Sequence, residues 1–318
     1  MEDATSDDVL SLIDYPNYCQ MMKQPLPENR KAILDRLTSE RIIFAKSSDR
    51  YAVTNLGAVL FARNLNDFDR LSRKALRVII YRGDNRVETI KEQMGGKGYA
   101  IGFEGAIEYI NDHLPQNEQI GQALRQEIRM VPEIAIRELV ANALIHQDFN
   151  ITGTGPMVEI FTGRIEISNP GVPLINTLRF IDEPPRSRNE VLAALMRRVN
   201  ICEERGSGID KVIFNVELLQ LPAPDFRSAG NSTVAVLYGP RQFEQMDREE
   251  RIRACYQHAC LLHVSGKRMI NVTLRKRLGI KDSSYSLASR IIKDAINDEL
   301  IRLHSGSRRD ACYVPFWA

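Results

Sequence analysis

The sequence has no pair of cysteines at the spacing that holds a zinc ion or begins a disulfide framework. Its five cysteines are scattered over 318 residues without a C-x-x-C motif: Cys19, Cys202, Cys255, Cys260 and Cys312. Zinc sites and small disulfide-stapled folds both need closely spaced cysteines. The pattern therefore predicts reduced thiols in a cytoplasmic protein.

A targeting signal and a membrane span are also missing from the sequence. The first residues, MEDATSDDVL, are acidic where a secretory signal is basic, and no apolar core follows them. No stretch approaches the roughly 20 consecutive apolar residues that a membrane helix needs. We therefore expect no association with a membrane.

A strong overall charge is absent too, because 43 basic residues stand against 41 acidic ones. The balance is uneven along the chain. From Met246 onward, 14 Lys and Arg face 8 Asp and Glu, a net charge of +6, and the residues before Met246 carry −4. The C-terminal quarter is therefore the part that would attract a polyanion.

The most informative stretch of the sequence is VPEIAIRELVANALIHQDFN, which begins at Val131. It predicts a helix of about four turns, since Pro132 suits a first helical position and no helix breaker follows for several turns. Glu138, Asn142 and His146 are spaced four apart, so they share one stripe of an otherwise apolar helix. The stripe is either the solvent-exposed face of an amphipathic helix or part of a functional site.

Two glycine turns downstream favour a functional site. The first ends the predicted hairpin MVEIF-TG-RIEIS, whose second strand runs into an Asn-Pro-Gly turn. The second is ERGSG, directly before the apolar helix IDKVIFNVELLQL. Glycines before a helix let the backbone approach a phosphate, and the free N–H groups of the first helical turn point at it.

This order of motifs resembles the GHKL-type ATP-binding fold of type II topoisomerases, mismatch-repair ATPases, heat-shock chaperone ATPases and sensor histidine kinases. More narrowly, ELVANALIHQDFN, RIEISNPG, RSRNEVLAAL and EERGSGIDKV resemble a branch found in bacterial and archaeal transcriptional regulators. Those regulators are related to the C-terminal part of the RecG helicase and carry no helicase motor. The resemblance covers residues 51–237, and all four motifs occur in family order.

The resemblance implies ATP and Mg²⁺ as cofactors and gives two residues a role. In the resembling ATPases, the Glu of a Glu-x-x-x-Asn helix polarises the attacking water and the Asn ligates Mg²⁺ between the phosphates. Glu138 and Asn142 occupy those positions here. The pairing suits the chemistry, because a carboxylate one turn from a neutral ligand acts on water beside the metal without capturing it. His146 and Asp148 either contact the nucleotide or its lid, or form a structural polar pair at the helix end.

The two turns would hold the two ends of the nucleotide. In the resembling family, an Asp before a glycine binds the adenine amino group. This chain instead has Asn169, two residues before Gly171. The Asn side-chain carbonyl can still accept a hydrogen bond from an amino group, but it lacks the negative charge of Asp. The phosphates would lie at the second turn, which contributes Gly206, Ser207 and Gly208.

A lid is expected between the two turns, in the segment EPPRSRNE, whose prolines forbid a regular helix. Related ATPases carry a lid over the phosphates at this place. Arg188 and Asn189 are therefore candidates for phosphate contact. The alternative is that they belong to a solvated loop.

Residues 1–70 predict a small helical, winged-helix-like unit. ENRKAILDRLTSE reads as a helix, RIIFAK and RYAVT as two strands, and NLGAVLFARN as a helix capped by Asn55. This unit either supports the nucleotide-binding core or touches DNA. In the resembling regulators a Schlafen-like or AlbA-type DNA-binding domain usually precedes this point, so we expect a chain that is trimmed or naturally short.

Residues 245–318 predict a winged helix-turn-helix domain, with three helices followed by a basic hairpin. The third helix would read duplex DNA, with Leu287, Ile291 and Ile296 packed inward. Its polar face includes Ser289. The predicted DNA contacts on this face and at the hairpin tip are Ser286, Arg290, Lys293, Arg308 and Arg309. A winged helix that serves only dimerisation or packing remains the alternative.

The sequence as a whole predicts an α/β sandwich. A GHKL-like ATP-binding domain at 71–240 would lie between the two small units, in a homodimeric, DNA-associated regulator with slow Mg²⁺-dependent hydrolysis. A protein that binds nucleotide without hydrolysis, or a pure DNA-binding regulator with a dimerisation scaffold, is the alternative. A sensor kinase is disfavoured because no phosphoacceptor helix pair precedes the core.

Overall fold

The structure is a computed structural model that describes residues 1–47, 49–120, 125–202, 206–305 and 311–318, with the backbone alone at 116–120 and 125–129. The chain folds into three consecutive groups of elements. The first, the N-terminal group, comprises α1 (Ser6–Leu12), α2 (Tyr15–Met21), α3 (Arg30–Ser39), β1 (Ile43–Ser47), β2 (Arg50–Val53) and α4 (Asn55–Phe61).

The start of α4 corrects one sequence prediction. The side chain of Thr54, not that of Asn55, caps this helix by accepting a hydrogen bond from the Gly57 amide at 2.8 Å. Thr54 also donates to the Ile42 carbonyl at 3.0 Å. The hydroxyl serves both contacts because a threonine oxygen both donates and accepts, and it fixes the helix against the preceding strand.

The second group, the sheet layer, contains a mixed sheet and its helices. Its elements are β3 (Arg77–Tyr81), β4 (Thr89–Met94), α5 (Tyr99–Asp112), β5 (Gln116–Ile120), β6 (Arg125–Arg129), α6 (Glu133–His146), β7 (Met157–Ile160), β8 (Arg164–Pro170), α7 (Glu190–Arg198), α8 (Gly208–Leu218), β9 (Asp225–Ala229) and β10 (Ser232–Tyr238). Within the described residues, six strands form the order β4-β3-β7-β8-β10-β9, in which β3 and β7 run parallel and the other neighbours run antiparallel. The α/β class is thereby confirmed.

One face of the sheet is covered by helices. In β8, Ile165 and Ile167 point to the apolar core that contains α6, and Glu166 between them points to the other face, as strand alternation requires. Glu166 lies directly opposite Glu159 of β7. Like charges at facing positions repel, and Arg86 offsets this by donating to both carboxylates, at 2.7 and 3.1 Å.

The apolar core of the sheet layer continues into the N-terminal group. One cluster of buried side chains runs from Ala4 to Leu237, and Tyr18 packs edge-on against Phe61 with ring centroids 5.1 Å apart. Because this apolar packing runs across residue 70, it does not mark a domain boundary there, and the predicted boundary at residue 70 stays a prediction.

The third group, the C-terminal group, has its own buried cluster. It comprises α9 (Arg248–Val264), α10 (Asn271–Leu278), α11 (Tyr285–Asn297), β11 (Ile301–Ser305) and β12 (Cys312–Pro315). The cluster also takes in Ile181 and Ile213 from the sheet layer. The sheet layer and the C-terminal group therefore meet through apolar packing.

The inward face of α11 differs from the prediction. Ile291 is buried as expected, but Leu287 is 36% exposed and Ile296 is 38% exposed. The buried stripe is instead Ala288, Ile291, Ile292 and Ala295. Those residues follow the 3.6-residue period, and Leu287 and Ile296 flank the stripe on opposite sides.

Across the described part of the chain, every helix is too short or too polar to cross a membrane.

Candidate functional site

A cavity of 290 Å³ opens between α6, the ends of β8 and β10, and residues 172–189, here called the cover segment. It brings together side chains that are up to about a hundred residues apart in sequence. The predicted residues that line it are Glu138, Asn142, His146, Asn169, Arg188, Gly206 and Gly208. The remaining predicted nucleotide ligands, Asp148, Gly171, Asn189 and Ser207, are close sequence neighbours of lining residues.

The helix α6 points its polar stripe into this cavity. It begins at Glu133, one residue later than predicted, because Pro132 is its N-cap. Residues on its other faces, such as Ile136 and Val140, are fully buried in the main core. The apolar faces hold the helix between sheet and neighbouring helices, and the spacing of four keeps the polar side chains on the remaining side.

The N-terminus of α8 lies against the carboxylate of Glu138. A Cβ atom added to Gly208 would stand 2.7 Å from Glu138 Oε2 and 3.9 Å from Asn142 Nδ2. Lys211, on the first turn of α8, places its Nζ 3.9 Å from Glu138 Oε1. A carboxylate, an amide, an ammonium and the free N–H groups of a helix start therefore meet at one end of the cavity.

Asn169 lies at the other end of the cavity, where β8 ends. Its side chain is buried, and its Nδ2 donates to the Pro170 carbonyl at 3.1 Å, so Oδ1 is the atom that can serve as an acceptor for a ligand. Gly171 follows with φ of +109°, a conformation that favours glycine.

Thr233 on β10 is a site residue that the sequence did not suggest. It is the cross-strand partner of Asn169 and lines the same cavity. Its hydroxyl donates to the Gly171 carbonyl at 2.7 Å, which fixes the turn. The position of Thr233 depends on how β10 registers against β8, so the strand sequence alone gave no signal.

Arg197 and Cys202 line the cavity near Glu138 and were also missed. Burial raises the pKa of the Cys202 thiol to about 11, opposed by the positive charge of Arg197 and reinforced by the negative charge of Glu138. Arg197, on α7, therefore adds a positively charged side chain to the lining of the cavity that also contains the Glu138 carboxylate.

Arg188 and Asn189 both contact the backbone at the end of α6. Arg188 donates to the carbonyls of His146 at 3.2 Å and Val172 at 2.7 Å. Asn189 Nδ2 donates to the carbonyls of Ile145 at 2.7 Å and Gln147 at 2.8 Å.

The chain is similar to known proteins in this region. Residues 153–237 match the family model described as "Putative ATP-dependent DNA helicase recG C-terminal". The match supports the resemblance to the RecG C-terminal branch. It includes β7, β8, α7, α8, β9 and β10, and it begins after α6.

A solved structure shows the same fold over nearly the whole chain. The crystal structure of the DIP2311 protein from Corynebacterium diphtheriae matches with a TM-score of 0.60 and 16% sequence identity. The alignment covers 98% of this chain and 62% of that one, so the chain spans about three fifths of its length. A comparison with curated proteins gave no match.

The described residues contain no cluster of three or more His, Cys, Asp or Glu side chains that could hold a metal ion.

The pH dependence of stability tests the environment of His146. The pKa of His146 lies below its ordinary value of 6.5 because burial disfavours the charged ring and Arg188 adds a repelling charge. The unfolded chain takes up the proton near pH 6.5 and the folded chain does so only at lower pH. His146 therefore costs no stability above pH 6.5 and lowers the free energy of unfolding progressively below it.

We expect His146→Gln to flatten this loss when urea unfolding is followed between pH 7.5 and 5. A His146→Gln profile that is parallel to wild type would contradict the assignment.

Proposed function

We propose that this chain is an ATP-binding regulator. Mg²⁺ and ATP would bind in the cavity, and the nucleotide state would act through the cover segment on a C-terminal group that contacts double-stranded DNA. The observation that carries the proposal is the contact of Glu138 and Asn142 with the glycine start of α8, together with a buried acceptor at Asn169. The family match at 153–237 supports the nucleotide.

The base end of the cavity suits adenine. Asn169 Oδ1 is a hydrogen-bond acceptor, so it favours a ligand with an amino group. Guanine carries a carbonyl at the corresponding ring position, and two facing acceptors repel. Ile167, Phe180 and Phe226 supply apolar surface for a planar base.

The phosphate end suits a polyanion. Gly206 has φ of +68°, and Gly208 leaves the space beside Glu138 that a side chain would fill. The N–H groups of the first turn of α8 and the positive end of its dipole favour phosphate. Lys211 adds positive charge 3.9 Å from Glu138, and Arg197 adds a second positive charge to the cavity lining. Both charges offset the repulsion between the carboxylate and a phosphate.

Asn142 fits a shared Mg²⁺ site, because its amide oxygen is a neutral ligand that leaves the other positions to water and phosphate. The ion would neutralise charge on the phosphates. Glu138 is one helical turn away and can take a proton from a water molecule. The Lys211 ammonium, 3.9 Å away, favours the ionised carboxylate that this role requires.

The first functional test is nucleotide binding by calorimetry in the presence of Mg²⁺. We expect ATP to bind more tightly than GTP, because of the acceptor at Asn169. Gly208→Val should abolish binding, since its side chain would occupy the space against Glu138. Gly105→Val is the control, because a Cβ at that exposed helical position meets no atom within 4 Å. Equal affinity for both nucleotides would contradict the base assignment, and ATP binding by Gly208→Val would contradict the phosphate assignment.

The second test separates turnover from binding. Glu138→Ala should keep Mg-ATP affinity close to wild type and lower phosphate release by about 100-fold or more, because it removes the base and leaves the metal ligand. Asn142→Ala should weaken Mg-ATP binding as well. Phosphate release by Glu138→Ala at the wild-type rate would show that Glu138 is not the base. A wild type that binds ATP without turnover would favour the alternative of a nucleotide-binding regulator.

The C-terminal group has the element order of a winged helix-turn-helix, with α9, α10 and α11 followed by the hairpin β11–β12. The third helix, α11, is the one expected to enter the major groove of DNA. One of its faces exposes four polar or basic side chains: Ser286, Ser289, Arg290 and Lys293. The proposed tip contacts, Arg308 and Arg309, lie outside the described residues. Few phosphate contacts per chain imply weak binding by one copy, so we propose a homodimer on a two-fold site.

The cover segment connects the cavity to this group. Phe180 lines the cavity, and the next residue, Ile181, is buried in the C-terminal cluster. The Tyr256 hydroxyl on α9 donates to the Leu178 carbonyl, and the Trp317 indole donates to that hydroxyl at 3.1 Å. A change in the cover segment would therefore be felt by α9, which supports control of DNA binding by nucleotide.

The third test measures duplex binding by fluorescence anisotropy at two salt concentrations. Arg290→Ala/Lys293→Ala should weaken binding and reduce the salt slope by about 0.9 for each DNA phosphate that the variant no longer neutralises. Arg82→Ala/Lys91→Ala removes the same charge from exposed positions in the sheet layer and is the control. Addition of Mg-ATP should change the affinity of wild type and should change that of Tyr256→Phe less. Equal affinity and slope for wild type and Arg290→Ala/Lys293→Ala would show that α11 does not contact DNA.

A further inference from the structure

The C-terminal end of α6 is held by one local side chain and by three side chains from distant parts of the chain. The last carbonyls of a helix have no partner within it. Here five consecutive carbonyls, from Leu144 to Asp148, each accept from a side chain. The donors are Gln147 to Leu144 (3.0 Å), Asn189 to Ile145 (2.7 Å) and Gln147 (2.8 Å), Arg188 to His146 (3.2 Å), and Lys74 to Asp148 (3.4 Å).

The use of Asn189 is unusual for its position. It is the N-cap residue of α7, where an Asn side chain normally accepts from the first turn of its own helix. Within the described residues, the Asn189 side chain accepts no such capping bond. Its amide instead donates to two carbonyls at the end of α6. The side chain therefore joins the exit of the cover segment to the helix that carries Glu138 and Asn142.

Arg188, the residue directly before Asn189, also connects the cover segment to the end of α6. Besides the carbonyls of His146 and Val172, it approaches the Asp148 carboxylate at 3.6 Å. Its Nε would lie only 3.3 Å from a Cβ placed on Gly171. Arg188 therefore joins the end of α6 to both the start and the exit of the cover segment.

We propose that Asn189 and Arg188 are positioning residues that latch the cover segment onto α6 and so set the rate at which nucleotide leaves. Pro185, Arg186 and Ser187, which directly precede the latch, form part of the cavity wall. Release of the latch would free that wall. Both amide hydrogens of Asn189 already donate to backbone carbonyls, so they are not available to a phosphate. This inference rests on the proposed nucleotide function and replaces phosphate contact as the role of Asn189.

Asn189→Asp tests the latch with a side chain of the same shape. The carboxylate places oxygen against two carbonyl oxygens, so it removes two hydrogen bonds and adds repulsion. We expect a fluorescent ATP analogue to dissociate at least about tenfold faster in a stopped-flow displacement experiment. Circular dichroism and thermal unfolding will establish that the variant is folded.

Asn176→Asp is the matched control in the same segment. Asn176 is exposed, and its Oδ1 accepts from the Leu178 amide at 3.0 Å, a bond that Asp retains. The same charge is therefore introduced while the hydrogen bond of the side chain is kept. Dissociation should remain within about twofold of wild type, since surface substitutions usually have small effects.

Comparison of ATP with ADP distinguishes a latch from phosphate contact. A latch predicts that the uncharged variant Asn189→Leu, which removes the two donated hydrogen bonds without adding a charge, weakens both nucleotides by the same factor, because the side chain touches neither. A loss of affinity that is clearly larger for ATP than for ADP would overturn the proposal in favour of direct contact with the terminal phosphate.

Hydrogen exchange without nucleotide tests the latch independently of ATP binding. The amides of Arg179, Asp182 and Glu183 bond to carbonyls within the cover segment. Their exchange should be faster in Asn189→Asp than in wild type and Asn176→Asp. Unchanged exchange would overturn the latch. A wild type that binds no nucleotide would refute the proposed function, while the exchange result would still decide whether the latch exists.

Discussion

The close approach of α8 to α6 at Gly208 is the constraint on which the site depends. Glu138 Oε2 stands 2.7 Å from the position that a Cβ would take, so only glycine lets the helix start reach the carboxylate. The same approach sets Lys211 beside Glu138. Because α6 is buried against the sheet on its apolar faces, neither helix can retreat without breaking the main core. The geometry of this end of the cavity, the proposed phosphate end, is therefore fixed by packing that lies outside the cavity.

The cover segment is the point at which the two cores influence one another. Its adjacent residues Phe180 and Ile181 point to different places, the cavity and the C-terminal cluster. The Tyr256 hydroxyl holds the backbone of this segment through the Leu178 carbonyl. A ligand that binds one arrangement of this segment more tightly than another would shift the equilibrium between the corresponding arrangements of the C-terminal group. The ratio of the two affinities sets how far that equilibrium can shift. The latch at Asn189 would determine how readily that shift occurs.

Much of the lining of the candidate site could be predicted from the sequence, because local periodicity encodes which side chains share a helix face. The spacing of Glu138 and Asn142 is a helical signal, and Gly208 is a turn signal directly before an apolar helix. Thr233 could not be predicted, because its place beside the Asn-Pro-Gly turn is set by strand register. The sequence marked Asn189 as polar within a proline-rich loop, but its partners are backbone atoms of a distant helix, which no local pattern identifies.

The most direct test of the account is a crystal structure of the chain with Mg²⁺ and a non-hydrolysable ATP analogue. The account predicts the adenine amino group within hydrogen-bond distance of Asn169 Oδ1, the phosphates at the N-terminus of α8, and Mg²⁺ bound by Asn142. A cavity that stays empty at a saturating concentration of the analogue, or an analogue bound with its phosphates away from Gly208, would contradict it.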